Sequence, residues 1–154
     1  MPGAEAPRYN SEMAPPPLKP TVAATGIFVA LMTVYVLTLA PTVTAEDSGE
    51  LAAAMHLGGV PHPPGFPTWC FLSRAGSAVI SLFAGDGADG LASPVVRANL
   101  MSAVYAALAC IVLFFLVRRL TGALVPAATA ATTLGLGTTF WSQAVITEVY
   151  TLNA

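Results

Sequence analysis

Apolar residues fall in four blocks separated by short polar or proline-rich stretches. Thr21 to Ala40 is an unbroken run of apolar and hydroxyl residues ended by Pro41. At 1.5 Å per residue, about 20 residues cross a hydrocarbon core about 30 Å thick, so this run predicts a transmembrane helix. Val95 to Val117, closed by Arg118-Arg119, predicts a second, and Ala123 to Trp141, rich in small residues, a third. The block from Phe66 to Phe83 differs: it follows Pro61, Pro63, Pro64 and Pro67 and carries Arg74 at its middle. An arginine at the bilayer centre costs about 3 kcal/mol on insertion scales, so the block is expected along the interface or dipping in without crossing. The predicted class is all-α integral membrane, with spans at about 21–40, 95–117 and 123–141. An outer loop at 41–94 is expected to hold short interfacial helices.

Charge placement orients this arrangement. Arg8 and Lys19 precede the first span and put the N-terminus on the cytoplasmic side; two spans then return Arg118-Arg119 to that side. The outer face receives residues 41–94 and the segment from Ser142 onward. It thereby collects Glu46, Asp47, Glu50, His56, His62, Arg74, Asp86, Asp89, Gln143 and Glu148. The rival reading of the first run as a secretory signal, with Val43-Thr44-Ala45 as cleavage site, is disfavoured by its length and by the further apolar blocks. Residues 1–20, with six prolines among scattered polar residues, predict a disordered cytoplasmic tail. The chain stops at Tyr150-Thr151-Leu152-Asn153-Ala154 with no polar tail, which suggests the front of a longer protein.

Composition strengthens the membrane assignment. Of 154 residues 55% are hydrophobic and only 9% charged, and mean hydropathy is +0.71. A soluble domain carries about a quarter charged residues and must cover its exterior with them. The net charge of −2 and the lack of any basic cluster beyond Arg118-Arg119 exclude nucleic acid as a partner. Two cysteines make no disulfide framework, and Cys110, inside an apolar run, reads as a small buried hydrophobe.

Candidate chemistry concentrates after the first span. In Glu46-Asp47-Ser48-Gly49-Glu50, a partly dehydrated carboxylate at the membrane surface can act as a base. Asp47 followed three residues later by Glu50 also resembles a capping box, opening a helix through His56 with Leu51 and Met55 on one face. In Gly58-Gly59-Val60-Pro61-His62-Pro63-Pro64-Gly65, three prolines hold one histidine on a stiff, extended backbone, suited to presenting an imidazole or simply making a turn. His56 and His62 are six apart across a Gly-Gly break with no HExxH or CxxC pattern, so no metal is expected. P-loop, GxGxxG and Gly-x-Ser-x-Gly patterns are missing. In Phe140–Tyr150 the aromatics read as interfacial anchors, whereas Gln143 and Glu148, polar groups at an apolar boundary, are expected to face a cavity.

Five ordered blocks together resemble a multi-span membrane family long catalogued as a domain of unknown function and related to protein O-mannosyltransferases. They are Leu39–Thr44 running into Glu46–Leu51, Gly59–Pro67, Arg97–Ala103, Val117–Gly122 and Phe140–Ala154. Ala45 departs from the pattern, where a bulky residue is expected. The resemblance implies the start of a GT-C-type glycosyltransferase. Such an enzyme moves a mannose-like sugar from a polyprenyl- or dolichyl-phosphate donor to an acceptor, a protein hydroxyl or glycan, on the outer or lumenal face. It implies an acidic residue of the first outer loop acting on the acceptor. Here that gives Asp47 as base and Glu46 as its alternate, with Glu50 as a cap. His62 would contact donor phosphate or acceptor, with Arg97 ahead of Arg74 as the phosphate cation. Gln143 and Glu148 complete the expected substrate-binding group. The donor is a substrate, and no cofactor is implied. Membrane lipid, the lipid-linked sugar and the acceptor are the implied partners. The expected location is a bacterial inner or plasma membrane, with the site facing outward. The alternative is a non-enzymatic membrane protein or transporter with the acidic loop as a vestibule, although the first two spans lack the midplane polar groups a transporter needs.

Overall fold

A computed structural model describes residues 19–154, so the expected disordered tail lies almost wholly outside the described residues. Every regular element among them is helical. The order is α1 (Pro20–Leu37), α2 (Ser48–Leu57), α3 (Pro67–Ala84), a single 3₁₀ turn at Gly90–Ala92, α4 (Pro94–Thr121), α5 (Leu124–Leu136), α6 (Thr138–Ala144) and α7 (Tyr150–Asn153). Proline sits in the first turn of α1, α3 and α4, where its missing N–H costs no helical bond. Left-handed Gly58 and Gly122 end α2 and α4.

Helix α4 is the axis of the molecule and touches α1, α2, α3, α5, α6 and α7. Along its C-terminal half, Ala103, Ala106, Ala107, Cys110 and Phe114 pack with Leu31 and Tyr35 of α1 and with Ala127 and Ala131 of α5. Small side chains let these backbones approach closely, as helices in lipid require. Gly135 shows how closely: a Cβ there would stand 2.7 Å from Leu31 Cδ2 and 3.1 Å from Cys110 Sγ. The Gly135 carbonyl, left without an intrahelical partner in the last turn of α5, accepts a 2.8 Å hydrogen bond from the Tyr35 hydroxyl. A second cluster gathers at the N-terminal half of α4, from Leu51, Ala52, Met55, Trp69, Ala98, Tyr105 and Val149.

Two helices are long and apolar enough to cross a membrane, Pro20–Leu37 and Pro94–Thr121. The third expected span is interrupted. Its apolar part, α5, has 13 residues, about 20 Å of helix, and the extended backbone of Gly137 separates it from α6. Hydrophobic content predicted its placement among apolar helices, but not the break at Gly137.

Helix α3 is amphipathic in an unusual sense. Trp69, Ser73 and Ser77, four apart, face inward, and Phe71, Val79, Leu82 and Phe83 face outward. Ser73 bonds the Tyr105 hydroxyl at 3.0 Å, and Ser77 accepts from Arg97. Polar groups inside and apolar groups outside suit a helix whose outer face meets lipid rather than water.

Helices α1 and α4 run antiparallel, because Asn99 near the start of α4 donates to the carbonyl of Ala40 just beyond α1. Lys19 and Arg118-Arg119 therefore share one end of the bundle and the acidic loop occupies the other. Along α4, Arg97 and Arg118 are about 31 Å apart, close to a hydrocarbon core.

Candidate active site at the acidic end of the bundle

The chain leaves α1 and is pinned at once. Ala40 donates its N–H to Val145 (2.9 Å), and the Asn99 amide donates to the Ala40 carbonyl (2.8 Å) and the Thr42 carbonyl (3.5 Å). The buried Ser48 hydroxyl donates to the Thr44 carbonyl and accepts from the Thr44 N–H, a local knot that closes the turn before α2. Within it Glu46 adopts φ +65°, a conformation that costs a non-glycine residue about 1–2 kcal/mol.

Helix α2 opens as expected at Ser48 and buries Leu51 and Met55 on one face, but its cap is not a capping box. Asp47 occupies the cap position without a side-chain hydrogen bond to the helix. Glu50, expected as a cap, reaches away instead: Oε1 accepts the backbone N–H of His62 at 2.6 Å, and Oε2 meets His62 Nδ1 at 3.0 Å. A loop twelve residues downstream offered two donors in place of the one at the helix start. The other ring nitrogen, Nε2, stands 3.8 Å from Asp47 Oδ2. Phe66 sets its edge to the ring, with centroids 5.6 Å apart. The Glu50 hydrogen bond, aided by the charges of Asp47, Glu50 and Glu148, raises the His62 pKa against a smaller effect of burial. The same bond holds Glu50 below the usual carboxylate value. The proline frame predicted from sequence therefore presents a histidine that is clamped between two carboxylates.

Glu148 reaches this group from the far end of the chain. Ser102 of α4 donates to its carbonyl and accepts its N–H, both at 3.2 Å. The neighbouring Thr147 hydroxyl donates to Asn99 Oδ1. Asn99 thus ties the start of the acidic loop and the return segment to one point on α4. The Glu148 side chain is buried, and its Oε1 has no hydrogen-bond partner. Burial raises its pKa most, and the charges of Glu46 and Asp47 add to the rise; the backbone N–H groups of Val149 and Asp47 pull the other way. Burial and neighbouring negative charge both disfavour its charged form.

The arginines are placed differently from expectation. Arg97 is 2% exposed and spent: Nε donates to Ser77 (2.9 Å), Nη1 to the carbonyls of Gly85 and Leu91, and Nη2 to Asp86 (2.6 Å). Its position before the second span suggested a phosphate ligand, but the glycine-rich turn after α3 folds back over it and takes its donors. Arg74 is exposed. Its Nη1 caps the end of α2 through the carbonyls of Met55 (3.1 Å) and His56 (2.6 Å). The rest of its guanidinium lines a cleft of about 410 Å³ walled by Gly58, Gly59, Val60, Pro64 and Cys70. Gln143, on α6, is half-buried with its Oε1 unpartnered, and it makes no hydrogen bond to the acidic group. Asn99, Ser102 and Ser48, which assemble the site, carried no sequence signal beyond being polar residues in or beside apolar helices.

The family model of the protein O-mannosyl-transferase TMEM260 N-terminal domain matches residues 47–154. The chain belongs to this family. The match starts at Asp47 and takes in Glu50, His62, Arg74, Arg97, Gln143 and Glu148, while Glu46 lies just outside it. Among curated relatives, the mouse protein O-mannosyl-transferase TMEM260 is 34% identical over 128 residues, 83% of this chain and 17% of the relative. A protein of the same name from Dictyostelium discoideum is 39% identical over 54 residues, 35% of this chain and 7% of the relative. The chain thus spans less than a fifth of the relatives it matches. These two come from a mouse and a slime mould and lend nothing to the expected bacterial membrane. No solved structure matches the chain.

Proposed function

We propose that this chain is the opening part of a GT-C-type glycosyltransferase. It would transfer a mannose-like sugar from a polyprenyl- or dolichyl-phosphate to an acceptor hydroxyl, on a protein or glycan, at the outer or lumenal face. The observation that carries this reading is the joining of family membership to a carboxylate–imidazole cluster at one end of an apolar helix bundle. Supporting the orientation, Lys19, Arg118 and Arg119 gather at the opposite end.

In the proposed reaction Asp47 accepts the proton of the acceptor hydroxyl. The acceptor oxygen bonds to the anomeric carbon as the bond from that carbon to the phosphate oxygen breaks. The anomeric centre inverts, and the lipid phosphate departs with the bonding electron pair as an anion. Asp47 suits the base role because it is exposed and bonded to no cap, whereas Glu148 is buried and Glu50 is engaged by His62. Glu46 is the alternate. A cation stabilises the departing phosphate. Arg74, exposed on the cleft beside the His62 loop, takes that role ahead of Arg97, whose donors are occupied. His62, beside Asp47, stands where it would contact the acceptor or the donor phosphate.

The test is Asp47→Asn in the full-length protein, with transfer from a polyprenyl-phosphate mannose donor as readout. Loss of a positioned base is expected to lower the rate roughly 10²–10⁴-fold, with Glu46→Gln much milder. Near wild-type transfer by Asp47→Asn removes Asp47 from the role.

A further inference from the structure

Asp47 and Glu50 meet a single imidazole, the charges of Glu46 and Asp47 act on Glu148, and the arginines nearby bond other groups. Arg97 pairs with Asp86, and Arg74 caps α2 through backbone carbonyls. Among the described residues, no lysine or arginine forms a salt bridge with any of the four carboxylates. One of them, Glu148, is 98% removed from solvent, with one carboxyl oxygen unpartnered and its carboxyl against the backbone N–H groups of Asp47 and Val149. A buried polar atom of this kind demands a partner, and the residues acting on this carboxyl include Glu46 and Asp47 of the acidic loop.

The ligand atoms offered by Asp47, Glu50 and His62 lie within 4.8 Å of one another. Two ligands on one ion, each at about 2.1 Å, stand about 3 Å apart when adjacent and about 4.2 Å when opposite. The His62 Nε2 to Asp47 Oδ2 separation of 3.8 Å is too long for a hydrogen bond and falls inside that range. Glu50 meanwhile occupies Nδ1 at 3.0 Å. A carboxylate on the far ring nitrogen is how metal-bound histidines are held in tautomer and orientation.

Resting on the transferase reading above, we propose that Asp47 Oδ2 and His62 Nε2 bind a divalent cation of the Mn²⁺ type, with Asp47 Oδ1 left for the acceptor proton, Glu50 orienting the ring and Glu148 supplying the inner oxygen. Carboxylate oxygens with one imidazole suit Mn²⁺ better than a thiolate-preferring ion. The half-exposed Asp47 and Glu50 leave the outer coordination positions open. The spacing of His56 and His62 had argued against a metal, and His56 indeed takes no part: its carbonyl is held by Arg74. On this proposal the inner oxygen is Glu148's, a residue that the linear sequence does not connect to the histidine.

The test is titration of the purified full-length protein in detergent with Mn²⁺ alone, reading free Mn²⁺ by electron paramagnetic resonance. One saturable site is expected, weakened at least roughly tenfold in Asp47→Asn and Glu148→Gln and by a similar factor in Glu50→Gln, the orienting residue. Asp89→Asn, on the exposed turn after α3, is expected to bind as wild type. Bound Mn²⁺ should also carry the hyperfine signature of one imidazole nitrogen, a readout that needs no variant. Absence of saturable binding, absence of the nitrogen coupling, or unchanged affinity in folded Asp47→Asn overturns the site. Sugar transfer that persists in EDTA with no Mn²⁺ binding removes the metal and leaves the transferase reading standing. Mn²⁺ binding without transfer to any acceptor does the reverse.

Discussion

Asn99 is the position where one substitution should separate the two halves of the site without touching either. Its side chain is fully buried, donates to the Ala40 carbonyl at 2.8 Å and accepts from the Thr147 hydroxyl. Asn99→Ala orphans both partners. A buried group left unsatisfied costs about 1–3 kcal/mol. Thr147 is fully buried and should approach about 2 kcal/mol; Ala40 is half-buried, so water recovers part of its loss and about 1 kcal/mol is reasonable. The sum, about 3 kcal/mol, is an upper figure, because polar pairs between membrane helices average about 0.6 kcal/mol when measured in cycles. The assay is denaturant unfolding of the full-length protein in mixed micelles for Asn99→Ala, Thr147→Val and the double variant. The single variants should each destabilise, and the double should cost less than their sum, since both remove the same bond. Sugar transfer should fall in Asn99→Ala through a lower turnover, as Glu148 and the acidic loop lose their common anchor. Strictly additive unfolding energies together with unchanged transfer would refute the claim that Asn99 joins the two segments.

Two further outcomes follow from packing and charge. Gly135→Ala should destabilise the bundle by about 1–3 kcal/mol, because its Cβ would meet Leu31 Cδ2 at 2.7 Å; thermal melts should show partial rescue in Gly135→Ala with Leu31→Ala, and no loss in the single variant contradicts the close approach. The Glu50–His62 clasp should be strongest in a pH window. With the His62 pKa raised, its contribution is complete below the unfolded value of about 6.5 and is lost as pH rises through the higher folded value. With Glu50 lowered, its contribution is present above the unfolded value near 4.3 and is lost as pH falls through the folded value. Hydrogen exchange of the His62 amide across pH 4 to 9 should therefore show maximal protection between those limits, and Glu50→Gln should flatten the profile. Because both groups are exposed, salt should weaken the effect. An unchanged profile in Glu50→Gln dismisses the clasp.

Hydrophobic runs and charge placement made the membrane character legible, along with the approximate limits of α1 and α4, the shape of α2 and a stiffly framed histidine near two carboxylates. These are local properties. A run of about 20 apolar residues must seek lipid wherever it sits, and Pro or Gly at fixed offsets restricts only its own neighbours. The partners of each charge were not legible. Glu50 could cap its own helix or reach His62, and Arg97 could wait for a phosphate or be enclosed by the turn after α3. Both choices turn on which donor or acceptor the folded chain delivers within 3 Å, and a hydrogen bond discriminates at that distance while sequence spacing does not. The same holds for Glu148, which Asn99 and Ser102 of α4 carry to the acidic loop from the other end of the chain. The acidic loop was visible from its composition; that a buried fourth carboxyl lies beneath it was a decision of the tertiary structure, because only packing around α4 makes those residues neighbours.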